Sequence, residues 1–118
     1  MTTAYLVVTM VTTVANLAVG LADLARANFV LANSAQVGVP RSWLPTLGTL
    51  KIAGAVGLVL GLLGVRVLGV AAAIGLIAFF VGAIVVHLRA RVLNNIGVPA
   101  AYLVLAIASL ALAVTHQP

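Results

Sequence analysis

Residues 67–86 read VLGVAAAIGLIAFFVGAIVV, an uninterrupted run without a charged or hydrogen-bonding side chain. A helix of about 20 residues is long enough to cross the hydrocarbon core of a bilayer, which is roughly 30 Å thick. A segment surrounded by lipid must also satisfy its own backbone hydrogen bonds, and a helix does so. This run therefore predicts a transmembrane helix.

The composition of the whole chain places it in a membrane. Of its 118 residues, 64% are hydrophobic and 6% are charged, and the mean hydropathy is +1.32. Soluble domains contain about 25% charged residues, and disordered chains combine low hydrophobicity with high net charge. A water-soluble monomer and a disordered chain are therefore both excluded, and we expect one membrane domain over residues 1–118.

Three more apolar runs lead to the prediction of an all-α protein, a bundle of four transmembrane helices. The amino-terminal run lacks the basic region of a secretory signal and is longer than a signal's apolar region, so we expect it to be a retained span. Pro99 suits the first turn of a helix, because the N–H that proline lacks would have no partner there. The predicted helices cover about residues 4–24, 46–65, 67–88 and 99–114.

The basic residues predict the orientation of the bundle. With four spans, the first and third connectors lie on the same side of the membrane. They carry four arginines against one in the second connector, namely Arg26, Arg41, Arg89 and Arg91 against Arg66. Because cytoplasmic loops carry the excess of Lys and Arg, we expect a multi-pass protein of the cell (plasma) membrane with both termini outside the cytoplasm. The scatter of these residues argues against a nucleic-acid partner, which needs a clustered basic patch.

The first predicted helix carries a polar stripe along its whole length. At 100° per residue, its members fall within about a quarter of the circumference, with Thr13 beside them. They are Tyr5, Thr9, Thr12, Asn16, Gly20 and Asp23. Because polar side chains are costly in hydrocarbon, this stripe should face the bundle interior. The opposite side should contact lipid through Leu6, Val7, Val14 and Leu21.

Small residues predict the packing faces of the other three helices, since they let helix backbones approach closely in lipid. The stripe on the second predicted helix is Gly54, Gly57, Gly61 and Gly64. The stripe on the third is Ala71, Gly75, Ala78 and Gly82. The fourth helix presents Tyr102, Ala106, Ser109 and Ala113 on one side.

Ionisable residues from three predicted helices converge at one end of the bundle. Asp23, the only acidic residue, ends the first helix, and Lys51 lies near the start of the second. His87 and Arg89 end the third helix. The candidate partners of the carboxylate are Lys51, Arg89 and Arg26.

Helix rotation separates the two residues that end the third helix. Arg89 falls on the stripe of Gly75 and Gly82 and should point into the bundle, whereas His87 lies about 140° from Gly82. On this prediction Arg89 belongs to the charged cluster, and His87 has a weaker claim to it.

Two interpretations of the charged cluster stay open. It is either a structural ion pair that locks helices together or reaches the headgroups, or a polar pocket that binds the head of a lipophilic molecule or passes protons. The candidate ligand-binding residues are Asn16, Asp23, Lys51, Arg89 and Tyr102. The candidate catalytic proton donors are Asp23 and His87.

Metal and cysteine chemistry find little support in the sequence. The chain has no cysteine, which excludes thiol catalysis, disulfide exchange and cysteine-ligated iron–sulfur clusters. Its two histidines, His87 and His116, and its single carboxylate do not form a recognisable metal-ligand spacing. We therefore predict no metal site and detect no cofactor motif.

Three segments of the chain resemble the DoxX-like family of small bacterial membrane proteins. Residues 47–58 read LGTLKIAGAVGL, with LGVAA following at 68–72, and residues 82–89 read GAIVVHLR. The resemblance covers about residues 28–111 and implies a four-helix membrane protein. The family is named after a subunit associated with thiosulfate:quinone oxidoreduction, and other relatives are redox-complex partners or assembly factors. Many relatives carry an acid where Lys51 stands, so a catalytic role of that acid would not transfer to this chain.

Three functional hypotheses follow from the residues and the resemblance. The first is a quinone-like ligand-binding protein or accessory subunit of a redox or envelope complex, whose partners are lipids, a lipophilic small molecule, and a membrane protein or second copy. The second is a membrane-embedded enzyme that uses acid–base chemistry on a lipophilic substrate. The third is a small proton-coupled transporter, although Asp23 lies near the end of its helix, whereas small multidrug exporters keep their acid deep in the span.

Overall fold

The computed structural model describes residues 3–94 and 96–115, and every regular element in that part of the chain is helical. The five α-helices are α1 (Thr3–Ala25), α2 (Asn28–Gln36), α3 (Leu44–Leu62), α4 (Arg66–Arg89) and α5 (Gly97–Thr115). A 3-10 turn, Arg41–Trp43, leads into α3. Four of the helices, α1, α3, α4 and α5, are long and apolar enough to cross a membrane. The prediction of an all-α bundle with four membrane-spanning helices is confirmed.

The four long helices form a closed ring of contacts. α1 packs against α3, α3 against α4 and α4 against α5, and α5 returns to α1. Buried apolar residues of α3, α4 and α5 form the core, namely Leu58, Ala73, Leu76, Phe80 and Ala106. Because consecutive long helices run in opposite directions, the ends of α1 and α4 lie beside the beginnings of α3 and α5.

The turn between α3 and α4 begins earlier than the sequence predicts. α3 ends at Leu62 rather than at Val65. Gly64 has a φ of 116°, a backbone conformation that favours glycine. The N–H of Val65 donates to the carbonyl of Leu60 at 2.9 Å, which closes the carboxyl end of the helix.

The first connector contains a helix that the sequence analysis did not predict. α2 buries Val30 and Ser34, which lie one helical turn apart. It is followed by Gly38, whose φ is 76°, and the N–H of Val39 donates to the carbonyl of Ser34 at 2.9 Å. The connector is thus folded at the charged end of the bundle.

The polar stripe of α1 faces the bundle interior, as predicted. Its buried residues are Tyr5, Thr9, Thr12, Thr13, Asn16, Gly20 and Asp23. The predicted lipid-facing residues, Leu6, Val7, Val14 and Leu21, are exposed. The Thr12 hydroxyl donates to the carbonyl of Val8 at 2.8 Å and lies 2.9 Å from the Ser109 hydroxyl of α5. A pair of hydroxyl groups therefore joins α1 to α5 inside the apolar bundle.

Glycines allow two close helix crossings. A Cβ atom placed on Gly48 of α3 would lie 2.7 Å from the carbonyl oxygen of Gly20 in α1. One placed on Gly61 of α3 would lie 2.6 Å from the Cα atom of Gly69 in α4. Because backbone atoms occupy both positions, a larger residue would have to push the helices apart. The first crossing lies next to Asp23 and brings it close to α3.

The packing face of α4 differs from the predicted one. Its small-residue stripe, Ala71, Gly75, Ala78 and Gly82, is exposed. The buried residues are instead Gly69, Ala73, Leu76, Phe80 and His87. Small residues allow helix backbones to meet, but in α4 the residues that approach α3 closely are Gly69 and Ala72, and larger side chains fill the space further along. On α3, Gly64 likewise lies outside the contact, beyond the end of the helix.

Candidate ligand-binding site

A cavity of about 570 Å³ lies where α1 and α4 end and α3 and α5 begin. Small-molecule sites occupy about 300–1,000 Å³ and combine apolar walls with a few polar groups. The polar residues of this wall include Asp23, Asn33, Ser34, Lys51, His87 and Tyr102. Apolar wall residues include Val19, Leu44, Leu47, Phe79, Phe80 and Val86. All five helices contribute to the cavity.

A buried ion pair forms the charged part of the wall. Lys51 Nζ donates to Asp23 Oδ2 at 2.8 Å, and the two side chains are 12% and 4% exposed. The other candidate partners, Arg26 and Arg89, are exposed. Lys51 Nζ also lies 5.2 Å from the ring centre of Phe79, within the range of a cation–π interaction. The lysine therefore connects α3 to both α1 and α4.

His87 lines the cavity from the end of α4 and is only 4% exposed. Its Nδ1 atom lies 2.8 Å from the carbonyl oxygen of Ala83. Because a carbonyl oxygen only accepts hydrogen bonds, Nδ1 is the donor and carries a proton. The second ring nitrogen, Nε2, is buried and has no hydrogen-bond partner among the described residues.

Because the packing face predicted for α4 is wrong, the orientation predicted for His87 is wrong as well. The predicted rotation refers to Gly75 and Gly82, which are exposed rather than packed against another helix, and Gly82 lines the open cavity. Measured from the buried Ala73 and Phe80, His87 lies on the same face of the helix. The sequence therefore did indicate an inward-facing histidine, through the helix face of Ala73 and Phe80 rather than through the small-residue stripe.

Aromatic rings make up much of the apolar wall contributed by α4 and α5. Phe79 and Phe80 meet edge to face with 5.0 Å between ring centres, and Phe80 lies 5.2 Å from the ring of Tyr102. The Tyr102 hydroxyl donates to the carbonyl of Ala15 in α1 at 3.3 Å. Tyr102 is therefore held between α5 and α1 and presents an aromatic surface beside the polar groups.

The first connector supplies the remaining side of the cavity. Phe29 of α2 and Trp43 of the 3-10 turn line it while being more than half exposed, so they stand where it meets the surroundings. Asn33 of α2 contributes a buried Oδ1 atom that has no hydrogen-bond partner within the described chain. This side of the cavity was not predicted from the sequence, although the absence of Gly and Pro from residues 28–36 is compatible with a helix there.

Comparison with known proteins places the chain in a family. The sequence model of the DoxX-like family matches residues 7–109. The chain belongs to the DoxX-like family. The match includes every wall residue of the cavity, from Val19 to Tyr102. No curated protein and no solved structure matches this DoxX-like chain.

Two of the predicted ligand-binding residues lie away from the cavity of this DoxX-like protein. Asn16 is fully buried inside the bundle, and its Nδ2 donates to the carbonyl of Thr12 at 2.9 Å. Arg89 is exposed, so the prediction that it points into the bundle is wrong. The wall instead brings together Asp23, Lys51 and Tyr102 with the candidate proton donor His87.

The arrangement of the DoxX-like site suits an amphipathic molecule. Its aromatic and aliphatic walls remove an apolar body from water, while the ion pair and the imidazole provide polar contacts at fixed positions. Within residues 3–94 and 96–115, no group of three His, Cys, Asp or Glu side chains is placed to hold a metal ion. His116 lies outside the described residues.

Proposed function

We propose that this DoxX-like protein binds a lipophilic molecule with a polar head group, of the quinone type, in the cavity at the charged end of the bundle. The observation that carries the proposal is the cavity itself, about 570 Å³ in volume, with aromatic walls and a buried Asp23–Lys51 pair. Apolar wall residues would hold the ring and the start of the tail. The Lys51 ammonium would offer a charge-assisted hydrogen bond to an oxygen of the head group.

We further propose that the protein serves as a binding or accessory subunit of a redox or envelope complex. The chain has no cysteine with which to hold an iron–sulfur cluster or to exchange disulfides. Electron transfer would therefore be carried out by the bound molecule or by a partner protein. This assignment of electron transfer is consistent with a subunit that presents a lipophilic molecule to a partner protein.

Trp43 provides a direct test of binding. It is the only tryptophan of the chain and it lines the cavity, so a quinone bound there should quench its fluorescence. We expect titration with a decyl-quinone in nanodiscs to give saturable quenching of wild-type protein. Quenching that rises linearly with the quinone concentration in the lipid, without saturation, would contradict the proposal.

A relocated tryptophan supplies the control for this titration. The double variant Trp43→Phe/Leu63→Trp moves the fluorophore to the exposed turn at the opposite end of the bundle. There we expect only the unsaturable quenching that quinone dissolved in lipid produces by collision. Equal saturation at both positions would show that the signal does not report on the cavity.

An enzyme that uses acid–base chemistry is the second candidate function. It is favoured by the position of His87 and Asp23 on the wall of one cavity, where both could exchange protons with a bound molecule. Mass spectrometry of the ligand before and after incubation separates the two functions. A ligand recovered with unchanged mass supports binding alone, and a changed mass that requires His87 supports the enzyme.

We also propose that the protein lies in the plasma membrane with both termini outside the cytoplasm. The distribution of arginines between the connectors supports this orientation. Because the chain has no cysteine, single-cysteine variants give a background-free test. We expect Val65→Cys, in the exposed α3–α4 turn, to react with a membrane-impermeant maleimide in intact cells. Leu93→Cys, in the exposed α4–α5 connector, should react only after permeabilisation, and the reverse pattern would overturn the orientation.

A further inference from the structure

We infer that the molecule bound in the cavity presents a hydroxyl group to Nε2 of His87, so that the site prefers a phenol or hydroquinol head group over the matching ether or quinone. The inference rests on the proposed binding function and deepens it by naming the head-group chemistry. It follows from the hydrogen-bonding capacity of the buried groups on the wall.

A hydrogen bond within α4 determines the tautomer of His87. Its Nδ1 atom donates to the carbonyl of Ala83 at 2.8 Å, within the same helix. This bond assigns the single proton of a neutral imidazole to Nδ1 and leaves a lone pair on Nε2. The buried Nε2 is therefore an acceptor, and it has no donor among the described residues.

A ligand that satisfies this acceptor must offer a hydrogen-bond donor. A buried polar atom without a partner costs free energy that a hydrogen bond recovers. The carbonyl oxygens of a quinone and the oxygen of an ether only accept hydrogen bonds, so neither satisfies Nε2. A hydroxyl group does, and its oxygen stays free to accept a hydrogen bond from a donor such as the Lys51 ammonium.

A second buried acceptor, in another residue of the cavity wall, favours the same chemistry. Oδ1 of Asn33, on α2, is buried and has no hydrogen-bond partner within the described chain. Asn33 and His87 belong to different elements, α2 and α4, and both residues line the same cavity. A hydroquinol carries two hydroxyl groups at opposite ends of its ring, whereas the quinone carries none.

The experiment compares a phenol with its methyl ether, because the pair differs in one donor. We would titrate wild-type protein with 3-bromo-5-decylphenol and with its methyl ether, using the bromine to quench Trp43. We expect the phenol to bind about five- to tenfold more tightly, the size of one hydrogen bond to a buried acceptor. Equal affinities would overturn the inference and leave the proposed function standing, whereas absence of saturable quenching by either compound would contradict the proposed function itself.

Variants of His87 assign the preference to this residue. His87→Phe should bind both compounds with the affinity that the wild type shows for the ether, and His87→Gln, whose amide oxygen accepts hydrogen bonds, should retain part of the preference. The matched control is Arg89→Gln, an exposed residue of the same helix end, which should keep the full preference. A preference that survives in His87→Phe would contradict the role of Nε2. The wild-type comparison decides the head-group chemistry even if this variant does not fold.

Discussion

Replacing Lys51 by Met is expected to lower the free energy of unfolding by about 3–5 kcal/mol, the usual cost of removing one partner of a buried ion pair. The Asp23 side chain is 4% exposed and pairs with Lys51 at 2.8 Å, so its carboxylate would remain buried without a cation. Methionine keeps an unbranched apolar side chain at this position, so the change is mainly one of charge. Reversible unfolding in mixed detergent micelles, followed by circular dichroism, measures the loss.

The two partners should respond unequally to substitution. Asp23→Asn leaves the lysine unpaired, but Lys51 is more exposed and has a flexible stem, so we expect a smaller loss of about 1–3 kcal/mol. The double variant Asp23→Asn/Lys51→Met buries no charge and should recover most of the wild-type stability. Arg89→Gln, which changes an exposed charge, should stay within about 0.5 kcal/mol of wild type. A Lys51→Met variant as stable as wild type would contradict a structural role for the pair.

The double variant also decides between the two interpretations that the sequence leaves open. If it folds and still binds the quinone probe with wild-type affinity, the ion pair only holds α1 to α3. If it folds and loses affinity, the pair contributes directly to the ligand site. Stability and binding are therefore measured on the same four proteins, wild type, both single variants and the double variant.

The orientation of α1 could be predicted from sequence because one physical effect dominates it. Thr9, Thr12 and Asn16 would each leave polar groups in hydrocarbon if the helix turned outward. No other rotation hides all three side chains, and the structure buries them together. The same argument brought Asp23 to the interior, and the helix order of the bundle then placed it beside α3.

The orientation of α4 could not be predicted in this way, because the helix carries no polar stripe in its membrane-spanning part. Its sequence offers two faces with helical spacing, one through Gly75 and Gly82 and one through Ala73 and Phe80. Both faces are apolar, so lipid accepts either, and the choice depends on how the side chains fit against α3 and α5. The prediction took the face with the smaller residues as the buried one and therefore placed Arg89 inside the bundle. The structure instead buries His87 and exposes Arg89.

The cavity could not be predicted from the sequence for a different reason. Its wall needs α2, whose nine residues have no strong periodicity and end in the turn at Gly38. A helix this short is marginal in isolation and forms because Val30 and Ser34 are buried against the rest of the protein. The ionisable residues could be assigned to one end of the bundle from the spans alone, but the space between them depends on this tertiary contact.

A single added methyl group should have opposite effects at two glycines, and the difference tests the close packing of α1 and α3. A Cβ atom on Gly48 would lie 2.7 Å from the Gly20 carbonyl oxygen and 2.9 Å from the Asp23 Cβ, so Gly48→Ala must separate the helices. We expect a loss of about 1–3 kcal/mol in the free energy of unfolding, the usual cost of overpacking. A Cβ on Gly75 would meet nothing within 4 Å, so Gly75→Ala should stabilise the helix by about 0.5–1 kcal/mol.

A third substitution, Gly54→Ala, tests whether the loss of stability depends on the atoms that the added methyl group contacts. At Gly54 the nearest atoms belong to the flexible side chain of Leu76, at 2.6 Å, so Gly54→Ala should cost less than Gly48→Ala. The order of unfolding free energies should then be Gly75→Ala, wild type, Gly54→Ala and Gly48→Ala, from highest to lowest. A stabilising Gly48→Ala would show that α1 and α3 do not meet at this crossing. Because that crossing positions Asp23, Gly48→Ala should also weaken quinone quenching of Trp43, whereas Gly75→Ala should leave it unchanged.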